Sequence, residues 1–172
     1  MSHARAAPPH DAVLVDTNAV IEAVRTGTWN AVAGARRVET VEECRDETQR
    51  GNPHDPGYVT VEPDHLARLA EVWGVDDEQR AALVLACPRA AGLDPGERDL
   101  LAHVLARGDD GWALCSPDIA CVRAAVALGM SDRLTALETL ADAVGARPRP
   151  PLKHHFTRRW LDEQRTRARL GA

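Results

Sequence analysis

Two short stretches decide how this chain folds: Ala12-Val13-Leu14-Val15-Asp16-Thr17-Asn18 and Trp112-Ala113-Leu114-Cys115-Ser116-Pro117-Asp118. Each is a four-residue apolar run followed at once by small polar residues. A strand with one solvated face alternates apolar and polar residues, so an unbroken run fits a strand covered on both faces, as in parallel sheets. Helices follow both runs. Asp16 or Thr17 can cap one that starts near Asn18 and carries Val20, Ile21 and Val24 at helical spacing, and residues 119–128 form another that ends at Gly129. Such strand-turn-helix units predict an α/β fold, a three-layer α/β/α arrangement on a short central parallel sheet.

Working outward, residues 29–35 read as helical and Arg37-Val38-Glu39 as extended. A second helix is expected from Thr40 through Glu47, stopping by Gly51. Residues 51–65, with two glycines and three prolines around Tyr58-Val59-Thr60-Val61, form a loop with an edge strand or hairpin. Helices are expected over 66–73, 77–86, 95–107 and 134–144, the third with Asp94 as N-cap and Pro95 at its first position. Gly145 to Pro151, GARPRPP, reads as a stiff linker. It leads to an added C-terminal helix on which Leu152, Phe156 and Trp160 make an apolar stripe, to be docked on its own domain or on a second subunit in a homodimer. The expected division is a body of residues 1–145 and a basic linker and helix over 146–172.

With 172 residues, the chain suits a single core. Its 44% hydrophobic and 27% charged residues exclude wholesale disorder. Only Trp29, Tyr58, Trp73, Trp112, Phe156 and Trp160 are aromatic, which argues against the aromatic platforms of many RNA-binding modules. The net charge of −5 argues against a broadly basic coat protein, but that charge is unevenly spread. Residues 145–172 carry eight basic and two acidic side chains, a net +6, which leaves −11 on the preceding residues. Cys44, Cys87, Cys115 and Cys121 show no paired zinc or redox spacing and read as buried thiols of a reducing compartment. With no signal-like segment and no run long enough to cross a bilayer, a cytoplasmic protein with no membrane partner is expected.

The acids carry the functional information. Asp16 and Asp118 each follow a strand and precede a helix, so both fall at the carboxyl edge of the sheet, where open α/β sheets bind ligands. Glu43, Glu97 and Asp99 lie in the opening turns of helices, where the helix dipole alone favours acids. Carboxylates brought together repel unless a hard cation such as Mg²⁺ or Mn²⁺ neutralises them. A bound cation of that kind activates water and stabilises a leaving oxygen, so phosphodiester hydrolysis needs no nucleophilic side chain.

In these residues the chain resembles PIN-domain ribonucleases of the toxin type. Val13-Leu14-Val15-Asp16-Thr17-Asn18 is similar to their opening strand and D-T-N signature, and Thr40-Val41-Glu42-Glu43-Cys44 to their second acidic segment. Pro95-Gly96-Glu97-Arg98-Asp99 resembles their G-E-x-[DE] helix start, and Ser116-Pro117-Asp118 their [ST]-x-D. The resemblance spans roughly residues 12–145 and excludes the 51–65 segment and the tail. It implies a Mg²⁺- or Mn²⁺-dependent endoribonuclease with Asp16, Glu43, Glu97 and Asp118 as catalytic acids. Asp16, Glu97, Asp99 and Asp118 would be metal ligands, with Thr17, Asn18 and Ser116 orienting them. Glu42 competes with Glu43, which is preferred because Cys44 supplies the apolar neighbour.

The implied partners are RNA and, for a toxin, a small antitoxin protein that masks the site. Thr17 and Ser116 also suit plain helix caps. Arg158 and Arg159 in the tail read either as a solvated face or as contacts to the RNA backbone. His154 and His155 read as surface residues. A noncatalytic PIN-like RNA- or protein-binding module is the alternative. A phosphatase of the haloacid-dehalogenase type also begins strand-Asp, but it needs a second Asp where this chain has Asn18.

Overall fold

Both decisive stretches are strands, β1 (Ala12–Val15) and β4 (Trp112–Cys115), with every residue buried. They pair in parallel, Ala12 beside Trp112 through Val15 beside Cys115. The structure, a computed structural model, describes residues 12–108 and 111–171. β2 (Val38–Val41) flanks β1 on the other side, and β3 (Glu71–Trp73) lies outside β2, so the parallel sheet has the order β3-β2-β1-β4. The chain winds from β1 outward to β3 and then returns to place β4 on the opposite flank of β1. The strand order therefore reverses between β1 and β4, which opens a crevice at their carboxyl ends.

Side chains alternate across the sheet and fill two cores. Leu14, Val41 and Leu114 point into one, together with α5 (Asp77–Ala86), α6 (Pro95–Arg107), α7 (Ile119–Ala127) and α9 (Arg158–Arg169). Val13, Val15, Val38 and Cys115 point into the other, with α1 (Thr17–Arg25), α2 (Trp29–Ala35) and α8 (Leu137–Ala143). The result is the expected three-layer α/β/α arrangement with an added C-terminal helix. Thr135 donates its backbone N–H to the Leu114 carbonyl at 2.9 Å and so covers the free edge of β4.

Four expectations are corrected. Thr40 and Val41 belong to β2, and α3 (Glu42–Glu47) begins only after them. Tyr58 to Val61 form no strand. The helix expected over 66–73 is instead one turn, α4 (Pro63–Leu66), followed by strand β3. The tail stripe is not one helix: Phe156 sits in a 3-10 turn, and α9 starts at Arg158, with the Thr157 hydroxyl accepting from the Trp160 N–H.

The tail docks on its own domain. Trp160 and Leu161 enter the first core and Phe156 the second. The preceding segment lies against α1: Arg149 donates its N–H to the Thr26 carbonyl at 3.0 Å, and Arg25 donates to the Pro151 carbonyl at 2.8 Å. All four cysteines are free and buried. Among the described residues no helix is long and apolar enough to cross a membrane.

Beneath the sheet lies a charge that no motif announces. Glu39, on β2, is wholly buried and accepts from Trp73 at 2.8 Å and from Arg107 at 2.7 Å, and it also pairs with Arg37. These donors hold its carboxyl below the usual range against the opposing pull of burial.

Candidate functional site

Asp16 closes β1 and is 2% exposed. It is the N-cap of α1, accepting from the Ala19 N–H at 2.8 Å through one carboxylate oxygen. Its other oxygen accepts from the Ser116 hydroxyl at 2.8 Å, so the residue after β4 fixes the residue after β1. Asp118 caps α7 in the same manner, accepting from the Cys121 N–H at 2.9 Å. Both acids therefore cap helices, as any acid at these positions would, and both stand at the crevice of the sheet.

Glu97 reaches the same crevice from the first turn of α6. Burial, reinforced by the nearby charges of Asp118, Asp16 and Asp94, pushes its carboxyl up to about 8. Burial likewise pushes Asp16 up to about 6, against the hydrogen bonds from Ala19 and Ser116, and Asp118 adds repulsion. Acids from three separate elements thus sit close enough to oppose one another's ionisation. A cavity of about 150 Å³ opens here, lined by Asp16, Thr17, Asn18, Cys44, Glu47, Asp94, Pro95 and Glu97; Asp118 does not line it and stands instead on the wall of an adjoining groove.

Glu43 is not among the residues brought together here. It pairs with Arg50 at 2.6 Å and does not line the cavity, whereas Glu47 does. Cys44 is the buried residue of α3, and its helical neighbour across one turn is Glu47, not the adjacent Glu43. Thr17 donates to Glu47 at 2.6 Å and lies 3.2 Å from the Cys44 carbonyl; it orients Glu47 and leaves the capping of α1 to Asp16. The Gly96 N–H donates to the other Glu47 oxygen at 3.2 Å. A Cβ on Gly96 would lie 2.7 Å from Glu47 Oε2 and 2.9 Å from Cys44 Sγ, so glycine lets α6 meet α3 here. Glu47 is the functional candidate that the sequence reading missed.

Other expected residues separate as well. Asp99 is buried but committed to Arg80, which donates to both its oxygens at 2.8 Å, and it does not line the cavity. Asn18 is exposed at the mouth and makes no side-chain hydrogen bond to a carboxylate among the described residues. Of the three expected orienting residues, only Ser116 holds an expected acid. Arg158 is held by Asp142 at 2.9 Å and Glu138 at 3.4 Å, and Arg159 by Glu163 at 3.2 Å; neither lines the cavity.

The donors that face the cavity are oxygens, apart from the Cys44 thiol, which burial keeps protonated. An oxygen set suits a hard divalent cation. Among the described residues, no group of three or more His, Cys, Asp or Glu side chains is placed so that it could hold a metal ion. No family model, no curated protein and no solved structure matches the chain.

Proposed function

We propose that this chain is a metal-dependent endoribonuclease with a PIN-like active site at the carboxyl edge of β1 and β4. One observation carries the reading: Asp16 and Glu97 line one cavity and Asp118 the adjoining one, all where the strand order reverses, with Asp16 and Glu97 pushed well above ordinary carboxyl values. Buried carboxylates placed so that they oppose ionisation cost stability, and a divalent cation is the countercharge that suits them. Asp16, Glu97 and Asp118 are the residues that would have to draw together to hold Mg²⁺ or Mn²⁺, since as they stand no three acids among the described residues are placed to do so. When bound, the cation supplies activation of water and stabilisation of the leaving oxygen.

The rest of the site positions these acids. Ser116 and the Ala19 N–H fix both oxygens of Asp16, and the Cys121 N–H fixes one oxygen of Asp118, leaving the other for a ligand. Thr17 and the Gly96 N–H hold Glu47 at the cavity wall in the second acidic position. A noncatalytic binding module is the competing reading, favoured by the lack, among the described residues, of three acids enclosing one point.

The deciding experiment is cleavage of single-stranded RNA by the purified chain with Mg²⁺ or Mn²⁺, with and without chelator. Cleavage is expected only with metal, and Asp16→Asn and Asp118→Asn should each abolish it. Metal-independent cleavage, or full activity in both variants, would overturn the proposal.

A further inference from the structure

A second cavity, of about 490 Å³, adjoins the acidic one, and Asn18 lines both. Its size falls within the ~300–1,000 Å³ typical of pockets for small ligands, whereas the acidic cavity has room for little beyond an ion and its waters. Asp118 and Ile119 form one wall. Ile119 is 42% exposed, an apolar side chain left open at the start of α7. The C-terminal segment forms the other wall with Lys153, His155 and Trp160. The His155 ring leans on Phe156, with centroids 4.6 Å apart and planes at 40°, and meets Trp160 edge-on at 6.5 Å. Lys153 is the only lysine of the chain. Its backbone N–H donates to Glu22 at 2.8 Å, which anchors the wall to α1, and its ammonium is hydrogen-bonded to nothing among the described residues.

A supported flat ring, an open apolar side chain and an ammonium whose charge acts on Glu22 but which has no hydrogen-bond partner among the described residues match the parts of a nucleotide, namely a base that stacks and a phosphate that needs a positive charge. We propose that this groove holds one nucleotide of single-stranded RNA, its base against His155 and Ile119 and its phosphate at Lys153, next to the bond that the carboxylates cut. The inference rests on the nuclease reading of the acidic cavity for the identity of the strand. It assigns the C-terminal segment a role in positioning substrate, which the tail's arginines do not fill.

The test measures binding of a short labelled single-stranded RNA to the full chain by fluorescence anisotropy over a salt series, with cleavage assayed in parallel. His155→Ala should weaken binding about ten-fold and His155→Phe should restore it, since stacking needs only the ring. Lys153→Ala should reduce the salt slope by about one. A base-paired hairpin of the same composition should bind more weakly than the open strand. Unchanged affinity in His155→Ala together with an unchanged slope in Lys153→Ala would overturn the groove, and intact cleavage in those variants would leave the nuclease reading standing. Loss of binding in both variants of a chain that cuts no RNA would sustain the groove and remove the nuclease reading.

Discussion

Glu97→Gln isolates the electrostatic argument about the site. Glu97 is 9% exposed and its carboxyl is pushed from 4.5 up to about 8, first by burial and then by Asp118, Asp16 and Asp94. A raised carboxyl means that the folded chain binds the proton more tightly than the unfolded chain. The corresponding stability is present in full below the unfolded value and is lost as pH rises through the folded one. From 4.5 to about 8, at ~1.4 kcal/mol for each tenfold change, the loss is on the order of 5 kcal/mol, with about 3 kcal/mol already gone at neutral pH. Asp16, raised from 3.8 to about 6, adds a smaller loss of the same sign at lower pH.

Glutamine has the shape of the protonated acid and does not titrate. Glu97→Gln should therefore match the parent near pH 4, exceed it increasingly from about pH 5, and lead by a constant margin above about pH 8. For a domain of this size ~3 kcal/mol corresponds to roughly 6–12 °C in melting temperature. The assay is thermal unfolding from pH 4 to pH 9, with chelator and with Mn²⁺. Mn²⁺ should stabilise the parent at pH 8, by ~2.7 kcal/mol when its concentration is about a hundred times the dissociation constant, and should have far less effect on the variant. A difference between the two proteins that does not grow with pH would refute the account of Glu97. Equal stabilisation of both by Mn²⁺ would refute its role as a ligand.

Three further outcomes are expected. Arg107→Ala strips a donor from the wholly buried Glu39 and should cost on the order of 3 kcal/mol in urea unfolding, whereas Glu39→Leu with Arg107→Leu should recover much of it; a neutral single variant would contradict the burial argument. Gly96→Ala places a methyl 2.7 Å from Glu47 Oε2 and should destabilise by about 1–3 kcal/mol despite alanine's helix propensity, so a stabilised variant would show that Glu47 moves freely. Glu47→Gln should reduce RNA cleavage at least ten-fold, whereas Glu43→Gln should leave it intact, and the reverse ranking would restore Glu43 to the site.

The parts of the fold legible in the sequence are those whose signal is local. β1 and β4 are buried on both faces, so their apolar runs are unbroken, and the caps that end them stand in the next residues. β3 has only three residues, Glu71 to Trp73, too few for a period to separate strand from helix. Thr40 and Val41 precede acids that open α3, and β-branched residues there satisfy strand pairing before they satisfy a helix start. Adjacency to Cys44 points to Glu43, whereas a helix shares a face at three or four residues' separation, which is why Glu47 and not Glu43 lines the cavity beside Cys44. Glu39 was invisible for another reason: its partners Trp73 and Arg107 lie 34 and 68 residues away, and no local pattern reports a pairing of that range.

The double duty of Asp16 and Asp118 bears on how a loss of activity should be read. Each caps a helix through one oxygen, accepting from Ala19 or Cys121; the other oxygen of Asp16 accepts from the Ser116 hydroxyl, and that of Asp118 is left to the crevice. A substitution to alanine would remove cap and charge together, with the cap alone costing ~0.5–2 kcal/mol, so lost cleavage would not distinguish a ligand from a structural residue. Asparagine caps a helix about as well as aspartate and keeps an oxygen for the N–H, while it removes the charge that a cation requires. For Asp16 it also keeps an oxygen or amide within reach of the Ser116 hydroxyl, which can donate or accept. Burial and Asp118 already oppose the ionisation of Asp16, so Asp16→Asn should melt no lower than the parent in chelator. A folded, metal-insensitive and inactive Asp16→Asn therefore assigns the charge to function, whereas a variant that loses stability along with activity would assign Asp16 to the fold.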